Sequence, residues 1–196
     1  MGSKERILKK KAEVARSILD VALHILTTEG IDGISMRKIA SRIEYSLPVI
    51  YAHYRSKEII TDRLTDIGFL KLRKQMERSV ANSEGPSPPL EKMLTGYVEF
   101  ALENKSLYLL MSRKSLEKLS EEHHRSEAEK LAVDFKSVIK NSLPAQRKKS
   151  ENEIDTVYYG MISLVHGIIT VSFASGKFYG RERDLIISKF VKAIIE

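Results

Sequence analysis

The spacing of apolar residues constrains this chain more than any other feature of its sequence. Apolar residues recur three, four and seven positions apart, as on one face of an α-helix, and strand patterns are scarce. The first run is closed by Gly30 and Gly33, which are typical of helix ends and turns. It consists of Ala15, Ile18, Leu19, Ala22, Leu23 and Leu26. Further helical patterns cover 36–43, 47–53, 56–70, 90–104, 105–118, 120–141, 151–175 and 181–195, so we predict an all-α protein.

Two short helical runs follow the longer first helix and are separated by the turn Glu44-Tyr45. Two short helices packed on a longer one make a helix-turn-helix, in which the second helix enters the major groove of DNA. The strongest break in the chain comes later, in the Pro-rich stretch 82–89. We therefore predict a three-helix helix-turn-helix domain over 10–57, followed by a larger helical domain over 58–196.

Composition and charge narrow the classes of function. The chain has 196 residues, no cysteine and a net charge of +7, with a sequence pI near 9.4. The absence of cysteine excludes disulfide scaffolds, thiolate zinc sites and cysteine nucleophiles. Residues 1–57 contain eleven Lys and Arg against six Asp and Glu, whereas 58–196 contain twenty-two against twenty. This excess indicates an anionic partner of the first domain, although an acidic substrate or a membrane surface would also explain it.

Local features favour DNA as that partner. Leu47, Pro48 and Val49 open the second short helix, and not all three can face the core of so short an element. Exposed apolar groups there suit contact with thymine methyl groups and the walls of the groove. Basic residues in the first turns of helices suit phosphate contact; they are Arg37, Lys38 and Lys57. Serines precede the helical runs at positions 35, 46 and 56 and are expected to be N-caps.

Residues 15–58 also carry a set of marks in a characteristic order. They are an alanine in the first helix, Glu29-Gly30 at its end, Ile39-Ala40 in the second helix, Tyr51-Ala52-His53-Tyr54 in the third, and Ser56-Lys57-Glu58 opening the fourth. In order and spacing this stretch strongly resembles the N-terminal domain of TetR-family transcriptional regulators. One position departs from the family, because Glu44 stands where the turn usually has a glycine. A left-handed conformation there costs about 1–2 kcal/mol, so we expect a slightly altered turn.

The resemblance implies roles for individual residues on DNA. Ser35 and Arg37 would lie against phosphates, and Leu47, Pro48 and Val49 would face base edges with Ser46 beside them. Tyr51 and His53 would reach the DNA backbone, and Lys57 would hold a phosphate from the fourth helix. Tyr54 is expected to belong to the core, one turn after Ile50.

The same resemblance implies that the second domain dimerises and binds a small effector. The run 154–173 is apolar on more than one face, as a helix packed on both its own domain and a partner would be. The candidate dimer residues are Val157, Met161, Leu164, Ile168, Ile186, Phe190 and Ile194. The candidate pocket residues are Tyr97, Phe100, Tyr108, Met111, Phe135, Tyr158, Tyr159 and His166, although such residues at helical spacing are more often plain core. His166-Gly167 also resembles the core of the C-terminal domain named for Trp-His-Gly, without its tryptophan.

Several other features are expected to carry no chemistry. His123-His124 point about 100° apart on a helix and form no HExxH motif, so we expect a solvated face rather than a metal site. Neither a catalytic set nor a cofactor motif is evident. The apolar stretch 161–176 is too short to span a membrane. We therefore expect a cytoplasmic protein without cofactor or membrane.

The expected function is a homodimeric repressor that an apolar or amphipathic effector releases from a palindromic double-stranded operator. Activation of transcription instead of repression is an alternative that the sequence leaves open. So are a small-molecule-binding protein with a degenerate DNA-binding head and, least favoured, a helical enzyme.

Overall fold

The computed structural model describes residues 2–82, 87–117, 126–145, 150–175 and 180–195. Within these ranges the chain forms nine α-helices and one short 3-10 turn, Ile31–Gly33, with no strand, so the predicted all-α class is confirmed. The helices are α1 Ser3–Glu29, α2 Met36–Arg42, α3 Leu47–His53, α4 Lys57–Ala81, α5 Pro89–Glu103, α6 Lys105–Glu117, α7 Glu127–Ser142, α8 Glu151–Ser175 and α9 Arg181–Ile195.

The described chain divides into two compact units. The first comprises residues 2–68 and 104–117, and the second comprises 69–103, 126–145, 150–175 and 180–195. In the first unit α1 packs against α2 and α6, and α2 packs against α3. The predicted domains, 10–57 and 58–196, divide the chain by function and stay predictions.

The core of the first unit forms along one face of α1. Ile18, Ala22 and Leu26 of the predicted stripe are buried, together with Val14 and Ile25, whereas Ala15, Leu19 and Leu23 are only half-buried. The buried face therefore lies slightly to one side of the predicted one. Facing residues from the other elements complete this core: Ile34, Ile39, Ile50, Ile60 and Leu64.

The turn between α2 and α3 has the left-handed geometry expected for the glycine of the family. Glu44 has φ +58°, in the region that glycine adopts without strain. The amide of Tyr45 donates to the carbonyl of Ala40 at 3.1 Å, and that of Glu44 donates to Ser41 at 3.4 Å. These two bonds are those of a Schellman helix end. The expected alteration of the turn is therefore absent, and the residue carries the strain instead.

Two of the three predicted serine caps form. The Lys38 amide donates to Ser35 Oγ at 3.2 Å, and the Ile59 amide donates to Ser56 Oγ at 3.4 Å. Ser46 occupies the position before α3, but its side chain accepts no cap hydrogen bond. The hydroxyl of Ser46 is exposed and remains available for another partner.

The second unit is built around α5 and α8. These two helices pack on each other, α7 packs on both, and α9 packs on α5. The central residues are fully or almost fully buried: Leu94, Val98, Phe135, Ile139, Met161, Val165, Ile169, Ile187 and Val191. The unit therefore has its own apolar core.

The length of α8 corrects one argument from the sequence. By length and composition alone, the whole 25-residue helix could cross a membrane. The stretch 161–176 is only part of this helix, so its length did not exclude a membrane span. One such helix is weak evidence for a membrane span, because the core helix of a soluble protein meets the same criteria. The packing of α8 on α5 and α7 accounts for its inward apolar face.

Candidate nucleic-acid interface

The short helix α3 is held in the first unit by one face. Ile50 is completely buried, and the hydroxyl of the half-buried Tyr54 donates to the carbonyl of Ala15 in α1 at 3.3 Å. Burial raises the pKa of the Tyr54 phenol, which keeps this donor protonated. Tyr54 thus anchors the end of α3 to α1, but it is half-buried and not part of the buried core that the sequence predicted.

The opposite face of α3 is exposed. Pro48, Tyr51 and Ala52 are exposed there, and Leu47 and Val49 flank them half-buried. None of the three residues that open α3 is buried, as the length of the helix indicated. Pro48 lies in the first turn, where the missing amide proton costs nothing. The helix therefore presents a compact apolar surface with one phenol.

The surroundings of this face contain few negative charges. The first turns of α2 and α3 have no acidic residue, whereas α1, α4, α5, α7, α8 and α9 each have at least one there. Ser35 and Arg37 are exposed at the start of α2, and Lys57 is half-buried at the start of α4. No carboxylate is therefore fixed at the start of either short helix, where it would repel a polyanion.

An ion-pair cluster connects the end of α1 to α2. The Glu29 carboxylate binds Lys38 Nζ at 2.5 Å and Arg42 Nη2 at 2.6 Å, two side chains one helical turn apart. The hydrogen bond from Lys38, helped by both positive charges, holds the pKa of the Glu29 carboxyl below its usual value. Lys38 therefore already has an acidic partner within the chain, and its contact with a phosphate stays a prediction.

The structure brings the predicted DNA-binding residues together on one stretch of the first unit. They lie on α2, on α3 and at the start of α4, and His53 is half-buried at the end of α3. Two exposed neighbours were missed, Tyr45 in the turn and Ala52 on α3. The signal for Tyr45 was an aromatic residue in a turn, outside every apolar stripe.

Comparison with known proteins agrees with this geometry. A family model described as bacterial regulatory proteins of the tetR family matches residues 18–64, which contain the whole helix-turn-helix. The uncharacterized HTH-type transcriptional regulator YobS of Bacillus subtilis is 29% identical over 173 residues, covering 88% of this chain and 85% of its own. The helix-turn-helix segment of the chain therefore matches the TetR family of bacterial regulatory proteins.

Solved structures share this fold over nine-tenths of the chain or more. A protein of unknown function from Rhodococcus sp. RHA1 is 21% identical and superposes with a TM-score of 0.73, covering 93% of this chain and 96% of its own. A TetR variant from Acinetobacter baumannii AYE, in complex with minocycline, is 14% identical with a TM-score of 0.61, covering 90% of this chain and 93% of its own. At these identities the likeness establishes the fold alone.

The aromatic residues predicted for a TetR-type effector pocket are distributed over both units. Tyr108 and Met111 are buried in the first unit, whereas Tyr97, Phe100 and Phe135 are buried in the second. In the second unit, Tyr97 meets His166 edge to face at 6.2 Å, and Phe135 meets Tyr158 at 5.7 Å. Burial lowers the pKa of the His166 imidazole, so the neutral ring is favoured. Two grooves described in this unit are lined by other residues.

Tyr159 and three of the predicted dimer residues lie differently from expectation. Tyr159 is 62% exposed, so it does not line the interior of its own unit. Val157, Met161 and Ile168 are at most 6% exposed within the single chain, because α8 turns this face towards its own core. Leu164, Phe190 and Ile194 are half-buried, and Ile186 is exposed.

In the described part of the chain, no three His, Asp or Glu side chains come together as a metal site would require. The pair His123-His124, predicted to be solvated, lies outside the described residues.

Proposed function

We propose that this protein is a homodimeric repressor of the TetR family that binds a palindromic operator and is released by a small effector. The observation that carries the proposal is the exposed face of α3, an apolar surface held in place by the buried Ile50. Such a face fits thymine methyl groups in the major groove.

The residues around α3 divide by the chemistry that they offer. Leu47, Pro48 and Val49 are proposed to contact base edges, because they are apolar and lie on or beside the exposed face. Hydroxyl, imidazole and basic side chains around them are proposed to bind the DNA backbone: Ser35, Arg37, Ser46, Tyr51, His53 and Lys57. Phosphate contacts would fix the position of the protein on DNA, and the apolar contacts would select the sequence.

The geometry of the turn bears on the competing hypothesis of a degenerate head. Glu44, which replaces the usual glycine, and the apolar second short helix were its best support. Since Glu44 adopts the same left-handed conformation, with both Schellman hydrogen bonds, the turn presents α3 as a glycine would. This favours a DNA-binding head over a protein that binds small molecules alone.

We propose the exposed apolar residues of α8 and α9 as the dimer face. They are Tyr159, Val171, Leu185 and Ile186, of which Ile186 belongs to the original prediction. A two-fold dimer would place two reading heads on half-sites about one DNA turn apart. The buried Val157, Met161 and Ile168 would support this face from within.

The effector is proposed to be an apolar or amphipathic molecule bound among the aromatic residues of the second unit. The minocycline complex of the Acinetobacter protein supports this for the shared fold. Release requires only that the effector binds the non-DNA-binding state more tightly, and coupling is typically about 1–3 kcal/mol. Because its substrate would be chromosomal DNA, the protein is proposed to work in the cytoplasm.

The test is selection of bound sequences from random duplex DNA at about physiological salt. A palindrome with half-sites one turn apart is expected, and unspecific recovery that disappears as salt rises would contradict the proposal.

On the selected duplex, Leu47→Ala and Val49→Ala should each lower the preference over scrambled DNA by roughly 5–100-fold, the usual range for a base contact. Leu109→Ala is the matched control, an exposed apolar residue on α6 of the same unit. An equal loss in all three variants would remove Leu47 and Val49 from base recognition.

A further inference from the structure

The first turns of α1 form a basic, exposed segment ahead of the family match. Residues 4–11 contain five basic side chains, Lys4, Arg6, Lys9, Lys10 and Lys11, and one acidic side chain, Glu5. Their net charge of +4 accounts for most of the +5 in residues 1–57. Every side chain in this segment is exposed, and within the described part of the chain no ion pair joins these cations to an acid. The segment therefore carries concentrated charge without an acidic partner among the described residues.

One side of this segment borders the end of α3. A groove of about 430 Å³ is lined by Leu8, Lys11, Ala12 and Ala15 of α1, by Ala52, His53 and Tyr54, and by Arg63 of α4. The described lining contains no carboxylate. The guanidinium of Arg63 lies 3.8 Å from Asp66 and is thereby partly compensated. Lys11 on α1 and His53 on α3 are therefore polar groups of this groove that an anion would meet.

Helical geometry places a second lysine beside Lys11. Lys4 precedes Lys11 by seven residues, about two turns, so the two side chains share the face of α1 that borders the groove. Lys9 and Lys10 lie on other faces of the same helix. The segment thus contains one pair of lysines on the groove side and one pair directed away from it.

We propose that residues 4–11 bind the DNA backbone beside each half-site, with Lys4 and Lys11 on phosphates next to the end of α3. This inference rests on the proposed function and extends its contact surface beyond the helix-turn-helix. Lys11 shares a groove with His53 and Ala52, at the end of the helix proposed to read the bases. DNA lying against α3 would therefore bring its backbone towards this side of α1.

An anionic lipid surface would be attracted by the same charges but fits the segment less well. Interfacial helices bury a continuous apolar face in the lipid. Residues 4–11 offer only Ile7 and Leu8 for this purpose, 64% and 67% exposed. The position of the groove beside α3 favours a nucleic acid over a membrane.

The experiment compares two double variants of the full chain on the selected duplex. Lys4→Gln with Lys11→Gln removes the groove-side pair, and Lys9→Gln with Lys10→Gln removes the same charge from the other faces. Affinity is measured against salt concentration, with thermal unfolding as a check that both variants fold. Each lost phosphate contact should lower the slope of log affinity against log salt by about 0.9. The groove-side variant should therefore lose about two units per bound protomer, and its matched control should lose much less.

A shortened duplex locates the contact. Residues 4–11 span about 12 Å, so trimming about three base pairs from each flank should weaken the wild type but hardly affect the groove-side variant. Equal slopes for both variants, or no change in either, would overturn the inference while leaving the proposed function intact. Binding of the wild type to phosphatidylglycerol vesicles, with an unchanged DNA slope in the groove-side variant, would overturn it in favour of a membrane. Failure of the wild type to select any sequence would count against the proposed function instead, because the slope can still be measured on random duplex.

Discussion

At the scale of single residues, Glu44 holds a backbone conformation that side chains with a Cβ rarely adopt. Its φ of +58° closes the Schellman turn that directs α3 outward. The helices on either side of this turn are held in the core by Ile39 and Ile50, which are both fully buried. Local strain at this one residue is the consequence.

Replacing Glu44 by glycine should relieve this strain. Left-handed geometry costs a non-glycine residue about 1–2 kcal/mol, and the greater freedom of glycine in the unfolded chain offsets part of the gain. We expect Glu44→Gly to raise the free energy of unfolding by about 0.5–1 kcal/mol in urea titrations. Glu44→Ala removes the same carboxylate but keeps the Cβ, so it should give no such gain. Equal stabilisation by both variants would attribute the effect to charge.

His166 is the residue whose burial predicts a pH dependence. Its pKa is lowered from the usual 6.5 in the folded chain, so the unfolded chain binds the proton more readily. Above pH 6.5 the imidazole is mostly neutral in both states, so it does not reduce stability. As the pH falls below 6.5, the unfolded chain is protonated first, and the free energy of unfolding decreases. The urea midpoint of the wild type should therefore drop more between pH 7.5 and 5.5 than that of His166→Gln. His24→Gln, which changes an exposed histidine on α1, should behave like the wild type.

At the scale of elements, the ion-pair cluster of Glu29 sets α2 against α1. Glu29→Gln would leave Lys38 and Arg42 without their shared carboxylate and would make the charge near the proposed DNA-binding face more positive by one. We expect weaker binding to the operator, because α2 loses the ion pairs that connect it to α1. We expect stronger binding to scrambled duplex, because the freed cations attract any phosphate backbone. The ratio of the two affinities should fall several-fold, measured by fluorescence anisotropy at fixed salt. Thermal stability should change little, since these side chains are partly exposed.

The matched control for Glu29 lies on the same helix. Asp20→Asn also removes one negative charge from α1, but Asp20 pairs only loosely with Arg16, at 3.9 Å, and both side chains are largely exposed. It should leave the specificity ratio close to that of the wild type. A comparable fall in both variants would show that net charge, rather than the position of α2, controls the ratio.

The elements also show what periodicity can and cannot predict. It places α2 and α3 within a residue of their observed bounds, because apolar spacing and serine caps are local properties of the chain. It identifies α8 as apolar on two faces, but it does not indicate which face its own unit covers. Met161 was therefore predicted at the dimer face and is fully buried. The pairing of Glu29 with Lys38, nine residues apart across a turn, likewise depends on tertiary placement.

At the scale of the whole molecule, the proposed repressor requires two DNA-binding domains, and hence a surface on which two chains meet. In the described part of the second unit, the large apolar residues that are exposed lie on α8 and α9, apart from Val133 on α7. Paired helices with apolar faces are a common solution for a two-fold interface. Dimerisation would cover Val171, which is 47% exposed on the single chain, whereas Ile168 is already covered.

Val171→Asp should therefore separate the protomers without unfolding them. A carboxylate buried at the two-fold interface without a partner costs several kcal/mol, so the dimer dissociation constant should rise at least about a hundredfold. Sedimentation velocity at micromolar concentration should show a monomer with an unchanged circular dichroism spectrum. Val133→Asp makes the same substitution at a residue that is 67% exposed outside the proposed face, and it should remain dimeric. A dimeric Val171→Asp protein would place the interface elsewhere, and loss of operator binding in the monomer would show that the two heads act together.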